Sequence, residues 1–450
     1  MNHKAIDYYK INKYTRDGLS EEDTHFFYKL KKQVLRHCEA GNSRKTVQAK
    51  IGYEVLGPIL YGYSHWLHEQ VIRTKADALL FLSREGKILE RAYRALFEGQ
   101  QEGNDQNIKE PRIEYINVSR LSLSKATICE CSSWTELQDK YTTLFRGLSN
   151  IGELFELLGL TVSNDAYESY GLSSNLSVEK ISDKEKILRL IQECGKESLK
   201  EQHDLAVRYL ESKGIGNGKT IISDIGWSGT MQMLLEDLFP AEKFIGCYIA
   251  VGDIYKSGRY QMLDRRGFWF KEDDHDRWQM IRFAESAFES LFICNEGSTV
   301  GYEVRKGNII PQKKTERNDT GSIDALHSAA INFVRDIRID EDIMNYNKDI
   351  WFIPYMNFAI YPNRDTIEIF RDMYFIDASK EYGILPKYNI VYYMLHPRKL
   401  LKELSLNNAK TIWLYGLFHL PLPYFKILCF LTGKIGLKSN YERKYLVKKK

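Results

Sequence analysis

Short apolar runs punctuate the chain, each leading through a polar, small-residue turn into a helical pattern. The first, ADALLFLS (76–83), passes through Arg84-Glu85-Gly86 into KILERAYRALFEG, where apolar residues recur at three-and-four spacing. A second, IEYINVS (113–119), ends at Arg120. A third, KTIIS (219–223), leads through Asp224-Ile225-Gly226-Trp227-Ser228-Gly229-Thr230 into MQMLLEDLF, and a fourth is FIGCYIAV (244–251). Buried strands alternating with helices predict an α/β fold, a Rossmann-like parallel sheet covered on both faces.

Around this core the period changes to helical. Residues 1–75 carry FFYKLKKQVLRHC and VLGPILYGYSHWLHEQVI, read as helices that pack on the core, with a break at Gly57-Pro58. Tyr61, Tyr63 and Trp66 fit helix contacts at that spacing better than a pocket lining. The core is assigned to 76–310, with a helical insertion at about 131–218. QKKTERNDTGS (312–322) reads as a linker, and 311–450 as a C-terminal helical region.

The segment IWLYGLFHLPLPYFKILCFLTG (412–433) is apolar, but Pro421, Pro423, His419 and Lys426 interrupt it, which argues against a spanning helix. Two readings stay open. It is either a helix buried on the main domain, or an interfacial segment with Trp413, Tyr415, Phe418 and Phe425 at the acyl boundary and the basic tail KIGLKSNYERKYLVKKK on anionic headgroups.

Composition narrows the function classes. The 450 residues are 43% hydrophobic and 28% charged, enough for a sizeable core. A net charge of +4 makes no broad cationic field, so no nucleic-acid partner is expected. Seven cysteines without a C-x-x-C pair favour a reducing compartment, and Cys129-x-Cys131 lacks the companions a zinc site needs. The polar start contains no secretory signal, so the expected location is cytoplasmic, with peripheral attachment to the inner membrane face expected if the C-terminal segment is interfacial.

Ligands of open parallel sheets bind at the carboxyl ends of the strands, so the turns after the first three runs should converge on one crevice. In the third turn, Gly226, Ser228, Gly229 and Thr230 offer close backbone N–H groups, hydroxyls and a helix start, and Trp227 is counted with them as a donor-binding candidate. This suits a phosphate, with Asp224 set to accept from sugar hydroxyls. The same residues also fit a tight strand-to-helix turn capped by Asp224. In the first turn, Ser83, Arg84, Glu85, Gly86 and Lys87 suit a second, more highly charged phosphate group, and Arg120 and Lys125 follow the second strand. Two anion sites imply a doubly phosphorylated ligand.

IISDIGWSGT resembles the phosphoribosyl-diphosphate loop of type I phosphoribosyltransferases. Asp224 keeps the second acid of that pattern, Ser223 stands for the first, Ser228-Gly229 stand for Thr-Gly, and Thr230 comes one residue early. FLSREGKIL then corresponds to the diphosphate loop, and VSR (118–120) to the strand end before the flexible loop. LGPILYGYSHWL, ALLFLSREGKILERAY, YINVSR, ISDIGWSGTMQ and ESLFICNEGSTVGY also resemble a bacterial polysaccharide-locus family often labelled HAD-type hydrolases, over roughly residues 50–305. In that family a phosphatase module can be fused to a phosphoribosyltransferase module, and this chain resembles the transferase module alone.

The resemblance implies a phosphoribosyltransferase-like core and a glycosyltransferase. It would move a 5-phosphoribosyl unit from 5-phosphoribosyl 1-diphosphate to a hydroxyl of a cell-surface polysaccharide precursor such as capsule or O-antigen, with a ribofuranose product. The acceptor would be a lipid-linked glycan, a separate phosphatase would act afterwards, and Mg²⁺ would be carried mainly by the donor diphosphate. Asp224 would serve the ribose, and Glu285 and Glu289, four apart in RFAESAFESLF, are candidate general bases. A solvated acidic pair is the plain alternative for these two.

Three other functions remain. HAD phosphatase chemistry needs a strand-end D-x-D pair, and Asp224-Ile225-Gly226 lacks the second carboxylate. A non-catalytic sugar-phosphate-binding or assembly protein is suggested by the missing acid at Ser223. Asp274 and Asp276 in KEDDHD form a further D-x-D candidate for a nucleotide-sugar transferase, against a solvated turn.

Overall fold

The computed structural model describes residues 8–12, 15, 18–40, 46–98, 111–141, 148–216, 218–252, 258–271, 281, 284–314, 320–371, 374–377, 380–385, 390–399 and 413. Its centre is a five-stranded, all-parallel sheet formed by β1 (Ala78–Leu82), β2 (Arg112–Ile116), β3 (Lys219–Asp224), β4 (Lys243–Ala250) and β5 (Arg265–Phe270), in the order β2-β1-β3-β4-β5. The α/β class is as the sequence indicates. β1 is fully buried and flanked by β2 and β3, with Phe81 paired to Tyr115 on one side and to Ser223 on the other. From β1 the chain moves outward to β2, and from β3 it moves the opposite way to β4. That reversal, at the carboxyl ends of β1 and β3, is the place where open α/β sheets bind their ligands.

Helices cover both faces. In chain order they are α1 (Glu21–Ala40), α2 (Val47–Ile51), α3 (Gly57–Thr74), α4 (Gly86–Phe97), α5 (Arg120–Thr127), α6 (Trp134–Tyr141), α7 (Ile151–Leu158), α8 (Asn164–Ser169), α9 (Glu185–Ser212), α10 (Thr230–Leu238), α11 (Gly258–Met262), α12 (Glu285–Phe292), α13 (Thr320–Asp336), α14 (Ile353–Ile360), α15 (Arg364–Arg371) and α16 (Ile390–Leu395). Side chains alternate across each strand. Leu79, Phe81, Ile221, Ile245 and Cys247 join one core with the N-terminal helices and residues from α13, α14 and Trp413. Ala78, Leu80, Leu82 and Ile222 join a second core with the helical insertion, α5 and α10.

The segments assigned to the two ends of the chain therefore build one layer together. Tyr53 Oη donates to Asp336 Oδ2 at 3.1 Å, and Asn357 Nδ2 donates to Tyr8 O at 2.7 Å. Pro58 does not break the N-terminal helix. A single wide turn over Gly52–Leu56 precedes α3, and Pro58 sits in the first turn of α3, where a missing N–H costs least.

The stretch read as a linker is partly ordered structure. Its first residues end a hairpin, β6 (Thr299–Arg305) and β7 (Asn308–Lys313), and its last begin α13. Trp413 lies in the core and not at a membrane boundary. It is fully buried, stacks on Phe358 at 5.2 Å between ring centroids, and donates from Nε1 to Ala359 O at 2.9 Å. Tyr415, Phe418, Phe425 and the basic tail lie outside the described residues, as do Asp274 and Asp276. Among the described residues no helix is long and apolar enough to cross a membrane.

Candidate functional site

The two turns that distance in sequence separates meet at this reversal. β1 and β3 are hydrogen-bonded neighbours, so Ser83–Lys87 and Asp224–Thr230 leave the sheet side by side. Each holds a non-proline cis peptide, Ser83–Arg84 and Gly226–Trp227. The β3 turn needs its glycines. Gly226 has φ 148°, and a Cβ there would lie 2.6 Å from Ala250 O. Gly229 has φ 81° and caps α10, where a left-handed residue costs glycine little. The turn is tied to the end of β4, since Ala250 N donates to Ile225 O at 3.3 Å and Gly252 N donates to Trp227 O at 3.0 Å.

At the start of α10, Ser228 Oγ and Thr230 Oγ1 lie 3.1 Å apart, and Thr230 Oγ1 lies 3.3 Å from Tyr260 Oη. Arg265 Nη1 donates to Ser228 O at 3.0 Å, holding the loop from β5. Tyr260 and Arg265 were not among the sequence candidates, because their proximity depends on β5 pairing beside β4.

Asp224 is buried, and its Oδ1 accepts from Ile225 N at 2.8 Å. Burial pushes its pKa well above the usual carboxylate range, and the charge of Glu85 adds to this. The Ile225 N–H and the charge of Arg120 act in the opposite sense. Glu289 on α12 is also pushed well above its ordinary value by burial and then by Glu285, with the Trp227 indole opposing. Glu85 raises it further and Arg120 lowers it. Glu85 and Arg120 thus act on both carboxyls. Glu85 from the β1 turn and Arg120 at the start of α5 are the charges common to the two, and Glu285 acts on Glu289.

Other candidates have different surroundings. Ser83 Oγ donates to Val118 O at 2.7 Å and accepts from Val118 N at 3.1 Å, so this hydroxyl braces the β1 turn against the segment after β2. Lys87 Nζ lies 4.4 Å from the centre of the Tyr115 ring and 3.6 Å from Glu90 Oε2. Glu85 Oε2 accepts from Arg84 N at 3.0 Å. The Lys125 ammonium sits near Gly159 at the end of α7, and burial lowers its pKa. Trp227 turns toward α12 and donates from Nε1 to Glu289 Oε1 at 2.8 Å.

Ser223 is fully buried with Tyr63, their hydroxyl oxygens 2.9 Å apart, and Tyr63 Oη also donates to Cys247 O at 2.7 Å. This position belongs to the packed interface with α3.

Among the described residues no group of three or more His, Cys, Asp or Glu side chains is arranged to hold a metal ion. No family model matches the chain, and no curated protein matches it.

Proposed function

We propose that the protein is a glycosyltransferase moving a 5-phosphoribosyl unit from 5-phosphoribosyl 1-diphosphate to a sugar hydroxyl of a bacterial cell-surface polysaccharide precursor. One observation carries this reading: at the strand-order reversal the β3 turn that follows Asp224 is bonded to α12 through Trp227 Nε1 and Glu289 Oε1 at 2.8 Å, and the two carboxyls feel the same Glu85 and Arg120. Ligands of doubly wound sheets sit at such a reversal. Two buried carboxyls of raised proton affinity suit a reaction that needs both a charge partner and a base.

In this reading the donor 5-phosphate lies on the N–H groups that open α10, with Ser228, Gly229 and Thr230 around it. The pentose lies over Asp224, and Arg84 and Arg120 face the diphosphate. Breaking the C1–O bond leaves positive charge on the sugar, which favours the ionised form of Asp224 and is stabilised by it, while both electrons of that bond depart with diphosphate. The acceptor oxygen bonds to C1 and its proton passes to Glu289. A carboxylate with a raised pKa is a stronger base than an ordinary one, which suits it to an alcohol. Acidic neighbours would repel a bare diphosphate, so the donor enters as its Mg²⁺ complex, a property of the substrate.

The Ser223 position does not weigh toward a non-catalytic protein, because an acid there would meet Tyr63 and α3. The lipid-linked acceptor, the separate phosphatase and attachment to the inner membrane face belong to the same proposal. The test is calorimetric titration with 5-phosphoribosyl 1-diphosphate and Mg²⁺, followed by an assay for diphosphate with methyl glycosides as acceptors. Donor binding is expected, together with diphosphate release that Asp224→Asn lowers by orders of magnitude. Absence of donor binding overturns the proposal, and release of inorganic phosphate from a sugar phosphate supports a hydrolase in its place.

A further inference from the structure

Trp227 sits in the middle of the small-residue turn, yet its side chain belongs to a different contact. The ring is buried, its centroid lies 5.7 Å from that of Phe288, and Nε1 donates to Glu289 Oε1 at 2.8 Å. Both partners are on α12. The backbone around Trp227 is fixed to β4 through Ile225 O and Trp227 O, so the indole bridges an anchored loop and the helix carrying the carboxyl. An indole N–H only donates and does not titrate in the ordinary range, so it presents the same partner to Glu289 at every working pH.

The groups facing Glu289 come from several elements. Glu285 precedes it on α12, Glu85 approaches from the β1 turn, and Arg120 from α5. On α13, His327 Nε2 donates to Leu291 O at 2.9 Å, with Arg91 and Asp324 beside the imidazole. This contact braces the end of α12.

We propose that Trp227 is a positioning residue that ties the donor-holding turn to the base. Its N–H fixes one oxygen of Glu289 and leaves the second for the acceptor hydroxyl, so the base is oriented when the turn is formed. The inference rests on the reading of Glu289 as the base.

Trp227→Phe keeps an aromatic ring and removes the donor. The lost hydrogen bond had favoured the ionised carboxyl, so Glu289 should titrate at higher pH in the variant. The measurement is infrared difference titration of carboxyl groups in wild type and W227F, with Glu289→Gln as the blank. It is paired with calorimetry using 5-phosphoribosyl 1-diphosphate and with diphosphate release to water and methyl glycosides.

The expected result is a Glu289 titration displaced upward, diphosphate release reduced roughly tenfold or more, and donor affinity within about twofold. W227F/E289Q should be no slower than E289Q. An unchanged titration together with unchanged release in W227F overturns the inference. If W227F does not fold, 3-benzothienylalanine at position 227 keeps the bicyclic ring without the N–H, and the same criteria apply. Wild-type release by E289Q would overturn the base assignment itself. Inactive E289Q with wild-type behaviour in W227F would overturn only the tie.

Discussion

The turns after β1 and β3 are read from similar sequence, a buried strand followed by small and polar residues and a helix start, but they spend their polar groups differently. In the β1 turn, Ser83 bonds both backbone groups of Val118, Lys87 covers Tyr115, and Glu85 accepts from Arg84 N. In the β3 turn, Asp224 is buried within the field of Glu85, and Trp227 donates to Glu289 on α12. A side chain already bonded to backbone has less capacity for a ligand. The difference teaches that a strand-end loop has to be judged by which groups remain after the fold has used the rest.

The largest effect that would sharpen this contrast is loss of turnover in Asp224→Asn. Diphosphate release should fall by about 10²- to 10⁴-fold, as expected for a group acting directly on the reacting sugar. Full activity in that variant would remove the distinction between the turns.

Next is Gly226→Ala, which meets both an unfavourable φ and Ala250 O. Denaturant unfolding should show a loss of about 1–3 kcal/mol, and donor binding should weaken with it.

A third measurement follows stability with pH. Burial raises the folded-state pKa of Asp224 and Glu289, so each contributes stability below the unfolded carboxyl pKa, about 4, and loses it as pH rises through the folded value. E289Q should therefore melt higher than wild type at pH 8, with the gap narrowing toward pH 4. A Tm difference that does not change over this window would contradict a carboxyl whose folded-state pKa is raised.

The smallest effects belong to the β1 turn. Ser83→Ala should cost about 1–2 kcal/mol of stability, and Lys87→Ala about 0.5–1 kcal/mol through the lost contact with Tyr115, both with donor affinity within about threefold by calorimetry. A collapse of donor affinity in a stable S83A or K87A protein would move the diphosphate site back to these side chains.

Much of the scaffold is legible in the sequence. β1 to β4, the helix after β1 and the start of α10 follow from apolar runs and glycines, because period and φ preference are local properties. β5, RRGFWF, carries too few aliphatic residues and too much charge to stand out as a buried strand. The β6–β7 hairpin left a signal in Lys306-Gly307, whose φ values of 50° and 79° suit a tight strand reversal, but it lies where the chain looks like the approach to a linker. Among candidate site residues, Asp224 and Glu289 feel the same Glu85 and Arg120, and Glu285 acts on Glu289. Ser83 and Lys87 are engaged elsewhere, and Trp227 turns to α12.

The sequence alone determined the strand-turn-helix units, the need for glycine at their turns, and the types of chemical group available. It determined these because each depends on a few adjacent residues. Only the tertiary structure decided that β1 and β3 are neighbours, that Ser223 faces Tyr63, and that carboxyls about sixty residues apart share Glu85 and Arg120. The reason is physical: strand order sets which turns meet, and a carboxyl's proton affinity depends on the burial and charges around it, which no short stretch of chain contains.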